Sequence, residues 1–83
     1  MKTLVKNQYG KWCIVEKTLS SGSPLYAYIE GKGWCLGRIE YADSKGGYYF
    51  LCESKNFFVR LDEELEVRTV EEQKALEREA LRK

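Results

Sequence analysis

Leu25–Arg68 reads LYAYIEGKGWCLGRIEYADSKGGYYFLCESKNFFVRLDEELEVR. Runs of β-branched and aromatic residues alternate in it with short clusters of Gly, Asn, Asp and Ser, the pattern of strands joined by tight turns. Strand 25–30 turns at Gly31-Lys32-Gly33 into strand 34–41, which turns through Ala42–Gly47 into a third strand. A last turn at Lys55-Asn56 leads to a fourth. The loop lengths predict pairings. Tyr26 should lie opposite Arg38, Tyr28 opposite Leu36 and Glu30 opposite Trp34. Tyr41 should face Tyr48, Ile39 Phe50 and Gly37 Cys52. Ser54 should face Phe57, Cys52 Val59 and Phe50 Leu61.

These three registers agree about which side chains share a face. A strand sends successive side chains to opposite sides, so a slip of one residue would exchange the faces. One face gathers Leu25, Ala27, Ile29, Cys35, Gly37, Ile39, Phe50, Cys52, Val59 and Leu61, a credible core. The small members suit a curved sheet, because a strand glycine often marks a bend or a close approach. The other face gathers Tyr26, Tyr28, Trp34, Leu36, Arg38, Tyr49, Leu51, Phe58 and Arg60, with Glu30, Glu40 and Glu53 among them. A solvated sheet face should be mostly polar, and this one is aromatic.

Outward from the meander, residues 2–6 and 11–17 (KTLVK, KWCIVEK) flank the turn Asn7-Gln8-Tyr9-Gly10 and predict an N-terminal hairpin. Its second strand is apolar on both sides, with Trp12 and Ile14 on one and Cys13 and Val15 on the other. Such a strand is usually covered on both. Thr18–Pro24 reads as a loop, and Pro24 suits the start of a strand. LDEELEVR is a short acidic turn and a closing strand. From Thr69 the chain favours helix: Thr69 and Glu72 form a capping-box pattern, and no Gly or Pro follows. A helix over 70–82 would carry a thin stripe of Val70, Leu76, Ala80 and Leu81, enough to dock weakly but not to anchor a core. The expected organisation is one β domain over 1–68, with hairpin 2–17 and meander 25–68, followed by a helix over 69–83.

At 83 residues the chain has room for one small domain with a modest core. Net charge is +1, unevenly spread: +4 over residues 1–60, −3 over 61–68 and zero over 69–83. A strong nucleic-acid binder is usually more basic. No run is long and apolar enough for a membrane span, and the N-terminus lacks the apolar segment of a signal peptide. Three widely spaced cysteines (Cys13, Cys35, Cys52) without an export signal point to free thiols and a cytoplasmic location.

The residues offer little to catalysis. There is no His and no C-x-x-C pair, so there is no zinc signature and no base beside a thiol. Glu30, Glu40 and Glu53 are explained by cross-strand pairing with Arg38 and Arg60. Gly31, Gly33 and Gly37 are followed by a strand, not by the helix N-terminus that a phosphate loop needs. No metal, cofactor or enzymatic activity is expected. The aromatic face remains, and its residues Tyr26, Tyr28, Trp34, Leu36, Arg38, Tyr49, Phe58 and Arg60 are the candidate partner-binding set.

Leu25–Arg68, with YAYIE, Trp34, Gly37-Arg38-Ile39, YYF and LDEELEVR, resembles SH3-like barrels of the Tudor kind. The resemblance implies a small barrel; the residues themselves leave a strongly bent antiparallel meander equally open. GRIEY, GYYFL and ELEVR are also similar to small uncharacterised proteins from mobile elements and phages of Gram-positive bacteria, which implies an accessory factor. The expected function is non-enzymatic binding of a protein partner, modulating a host protein. Weak single-stranded nucleic-acid binding is the alternative, a homodimer is open, and no membrane role is expected.

Overall fold

A computed structural model describes residues 2–14 and 17–82. The meander forms β4 (Pro24–Ile29), β5 (Gly33–Ala42), β6 (Gly47–Cys52) and β7 (Phe57–Arg60), ahead of the closing strand β8 (Val67–Arg68). All pair antiparallel, in the order β7-β6-β5-β4-β8. A smaller sheet holds β1 (Val5–Lys6), β2 (Trp12–Ile14) and β3 (Lys17–Thr18). Helix α1 (Val70–Leu81) ends the described chain. The protein is therefore mainly β with one C-terminal helix.

Of the two predicted forms, the bent meander is the one present; the barrel does not close. Among the described residues β7 pairs with β6 alone. At the other margin β8 has only two residues. Beyond it lies the N-terminal segment, through a bridge between Thr3 and Glu66 and a hydrogen bond from Val67 N–H to Lys2 C=O (2.9 Å).

Two of the three predicted registers are off by two residues. Tyr26 pairs with Leu36 rather than Arg38, and Tyr28 with Trp34; Arg38 lies opposite Pro24. The turn is Glu30-Gly31-Lys32, closed by Lys32 N–H to Ile29 C=O (2.9 Å). Gly33 already belongs to β5, in a left-handed conformation (φ 79°). Likewise Phe50 pairs with Val59 rather than Leu61, and Cys52 with Phe57 rather than Val59. That turn takes in Glu53–Asn56, with Asn56 left-handed at φ 54°; Ser54 sits inside it. The middle register is as predicted, Tyr41 to Tyr48 and Ile39 to Phe50. A slip of two preserves parity, so the faces survive.

The core confirms them. Leu25, Ala27, Cys35, Ile39, Phe50, Cys52 and Leu61 are buried, with Ile29 and Val59 packed against them. Each large side chain among them contributes about 2 kcal/mol by leaving water. Gly37 has no room for a side chain: a Cβ would meet the Leu51 carbonyl oxygen and lie 2.6 Å from Phe50 Cζ. The rest of the core comes from outside β4–β7, from Leu4, Trp12, Ile14, Leu19 and Val67. Cys35 and Cys52 are buried, Cys13 is partly so, and all three are free.

The N-terminal region departs from the expected hairpin. Ile14 pairs with Lys17, so the strand expected over 11–17 is two short strands running in opposite directions. Val15, expected to share a face with Cys13, lies outside the described residues. Leu19, within the expected loop, is buried. Helix α1 starts at the capping box: Glu72 N–H donates to Thr69 Oγ1 and Thr69 N–H to Glu72 Oε1, each at 3.0 Å. No helix residue is fully buried, and Leu76 and Leu81 are 43% and 85% exposed. The helix start is held by an ion pair between Lys2 and Glu72, which keeps the Glu72 carboxyl below its ordinary range. No helix among the described residues is long and apolar enough to cross a membrane.

Candidate protein-binding face

The strand parity that buries Ile39 and Phe50 turns Tyr26, Tyr28, Trp34, Leu36, Arg38, Tyr49, Phe58 and Arg60 to the opposite side. The structure places them in cross-strand rows. Arg60 is opposite Tyr49, Phe58 opposite Leu51, Leu51 opposite Arg38, Leu36 opposite Tyr26, and Trp34 opposite Tyr28. Tyr28, Leu36 and Phe58 are 46%, 50% and 45% exposed. They keep this exposure with α1 in place.

The aromatic rings gather at two ends and form no single cage. At one end Tyr28 and Trp34 meet edge to face, centroids 5.6 Å apart. At the other Tyr49 and Phe58 do the same at 5.5 Å. This geometry suits the ring quadrupoles. Between them lies Arg38. Its Nε donates to Glu40 Oε2 at 2.6 Å, and its Nη2 to Glu53. The hydrogen bond from Arg38 pulls the Glu53 carboxyl below its ordinary range; the bonds to Glu53 and then Glu40 raise Arg38. Arg38 is thus neutralised in place, a polar partition between the two aromatic pairs.

The surroundings of the ends differ. Beside Tyr28 an open groove of about 550 Å³ is lined by Glu30, Asp62, Glu64, Leu65 and Glu66. The Asp62 carboxylate shapes this segment by accepting from the N–H groups of Glu64 and Leu65 (2.9 and 2.8 Å). Over Trp34 lies the Arg68 guanidinium, 3.9 Å from the ring centroid, with its Nη1 bonded to Gln73 Oε1 at 2.9 Å. At the other end Lys45 Nζ sits 5.0 Å from the Phe58 centroid and 5.4 Å from that of Tyr49. Arg60 is exposed, its guanidinium passing against Gly46.

Sequence reasoning missed Arg68, Lys45 and the acidic segment as parts of this face. Arg68 pairs with Tyr26 in β8, but a two-residue strand after an irregular turn carries no periodicity from which to read its partner. Lys45 lies in a 3₁₀ turn, Asp43–Lys45, whose side-chain directions strand alternation does not describe. Among the described residues no three His, Cys, Asp or Glu side chains are placed to share a metal ion.

Fold and face together define a small two-sheet antiparallel β domain with an aromatic outer face and an appended helix. Residues 2–69 match the model of a domain of unknown function, DUF5348, and the chain belongs to that family. The match takes in both sheets and stops at the N-cap of α1. No curated protein and no solved structure gives a match.

Proposed function

We propose that this chain is a non-enzymatic protein-binding module whose outer face docks the partner. The observation that carries the reading is that Tyr28, Leu36 and Phe58, large apolar side chains on one sheet face, are each about half exposed. Exposed apolar surface on one face commonly marks an interaction site. Tyr, Trp and Arg are the residues that most often dominate binding energy. Arg38, held by two carboxylates, serves as a fixed polar centre rather than a free cation. The resemblance to mobile-element proteins supports a host protein as partner and the cytoplasm as location.

The test is capture from the source cell with wild type and with Tyr28→Ala/Leu36→Ala. The double variant should keep its thermal midpoint and lose more than tenfold in partner affinity, on the scale of hot-spot truncations. Equal capture by both would overturn the assignment of this face. Single-stranded nucleic acid, the second reading, draws on Lys45 and Arg60 beside Tyr49 and Phe58. It is separated by salt: such affinity should fall steeply between about 50 and 200 mM, and an apolar contact at Tyr28 and Leu36 should barely respond.

A further inference from the structure

Strand β7 is the one margin of the five-stranded sheet that the chain leaves without a neighbour among the described residues. In an antiparallel pair every second residue aims its N–H and C=O away from the partner strand. Along Phe57–Arg60 the outward groups therefore form a short open ladder, the structure that receives an added strand. Neither face of β7 is fully buried: Phe57 and Val59 are half-buried, Phe58 and Arg60 exposed.

Four cations surround this edge. Lys32 Nζ lies 5.2 Å from the Phe57 centroid and Lys45 Nζ 5.0 Å from that of Phe58. Lys55 sits in the turn leading into β7, its Nζ 3.3 Å from the Lys32 carbonyl, and Arg60 ends the strand. Among the described residues none of the four has a carboxylate within ion-pair distance. Of the nearby acids, Glu53 is paired with Arg38, Asp43 accepts from the Tyr41 hydroxyl (2.7 Å), and Asp62 accepts from an N–H of its own turn. Two independent features thus coincide, an unpaired backbone and uncompensated cations at both ends of it.

We infer that the β7 edge takes an extended acidic peptide segment as an added strand, with its backbone on Phe57–Arg60 and its carboxylates on Lys32, Lys45, Lys55 and Arg60. The inference rests on the binding-module reading and names the chemistry of the partner. Lysines beside a free edge discourage pairing with other strands; toward carboxylates the same charges attract, so the edge selects by charge. A nucleic-acid strand fits less well. It cannot answer an alternating ladder of donors and acceptors, and the rings of Phe57 and Phe58 already carry lysines of this chain.

The test uses the full chain, isotopically labelled, titrated at low salt with a short acetylated peptide of alternating Glu and Val. Parallel titrations use the Lys–Val counterpart and a thymidine oligonucleotide. Amide shifts should concentrate at Phe57–Arg60 with the acidic peptide and be absent with the other two. Lys45→Glu/Lys55→Glu/Arg60→Glu should weaken that binding by more than tenfold. Shifts with the basic peptide or the oligonucleotide, shifts confined to Tyr28 and Trp34, no binding at all, or concentration-dependent self-association through β7 would each overturn the inference. If partner capture is lost on altering Tyr28 and Leu36 but the acidic peptide fails to bind, the binding face stands and the edge site falls.

Discussion

The two aromatic pairs of the outer face have nearly the same internal geometry and different surroundings. Tyr28 and Trp34 meet at 68° and Tyr49 and Phe58 at 71°, with centroid separations that differ by only 0.1 Å (5.6 and 5.5 Å). Yet Tyr28 looks onto a groove lined by Glu30, Asp62, Glu64 and Glu66, and Phe58 lies under Lys45. Strand pairing makes the rings alike, because each pair couples neighbouring strands on one face. Each pair carries a cation, Arg68 of β8 over Trp34 and Lys45 over Phe58, and the difference comes from the turns and loops, which bring Glu30, Asp62, Glu64 and Glu66 beside Tyr28. On this protein the strands supply contact area, and the connections decide which charge a partner must carry.

The largest effect should come from the ground between the two ends. Gly37→Val would drive a side chain into the Leu51 carbonyl and the Phe50 ring. It should cost about 3 kcal/mol or more, read as an early urea midpoint, and should disturb both aromatic pairs at once. If stability holds and only one pair moves, the ends do not share a rigid floor.

A smaller effect separates the ends. Thr69→Ala removes the acceptor for Glu72 N–H and should destabilise the helix start by about 1 kcal/mol. Because Gln73 holds the guanidinium that covers Trp34, the Trp34 indole resonance should shift and the Phe58 ring signals should not. Movement of both would show that the helix supports the whole face.

The smallest effect concerns the partition. Arg38→Leu removes the donor that lowers Glu53 from its ordinary value of 4.5. Glu53 should then titrate closer to that value, as followed by carboxyl carbon shifts. The sign follows from linkage: a carboxyl lowered in the folded state adds stability above its unfolded pKa. That stability is lost as pH falls below 4.5 through the folded value. Wild type should show this acid-side loss, and Arg38→Leu should lack the part due to Glu53.

How far the sequence could be read follows from these same residues. Parity was legible, since Leu25, Ala27, Cys35, Ile39, Phe50 and Cys52 alternate with the polar residues, aromatic residues and leucines of the other face, and all are buried. Exact register was not. A turn containing Gly31 and Gly33, or Asn56, has several closures that differ by two residues and leave the same side chains inward. The middle register, pinned between Ala42 and Gly47, left less choice. Leu4, Leu19 and Val67 were harder still. Each sits in a stretch of one or two strand residues or none, too short for periodicity to mark its face, and each is buried in the common core. The eight candidate face residues were legible by type and side. Their division into two ends was not, because Arg38 takes its partners from Glu40 in its own strand and Glu53 in a turn.

The bridge between Thr3 and Glu66, with Val67 bonded to the Lys2 carbonyl, also fixes where a tether would leave the molecule. Anything joined ahead of Lys2 emerges alongside β8, near the start of α1, at the margin opposite β7. An anchor, a fluorescent label or a sensor surface attached there would hold the domain by its closed edge and present the open one outward.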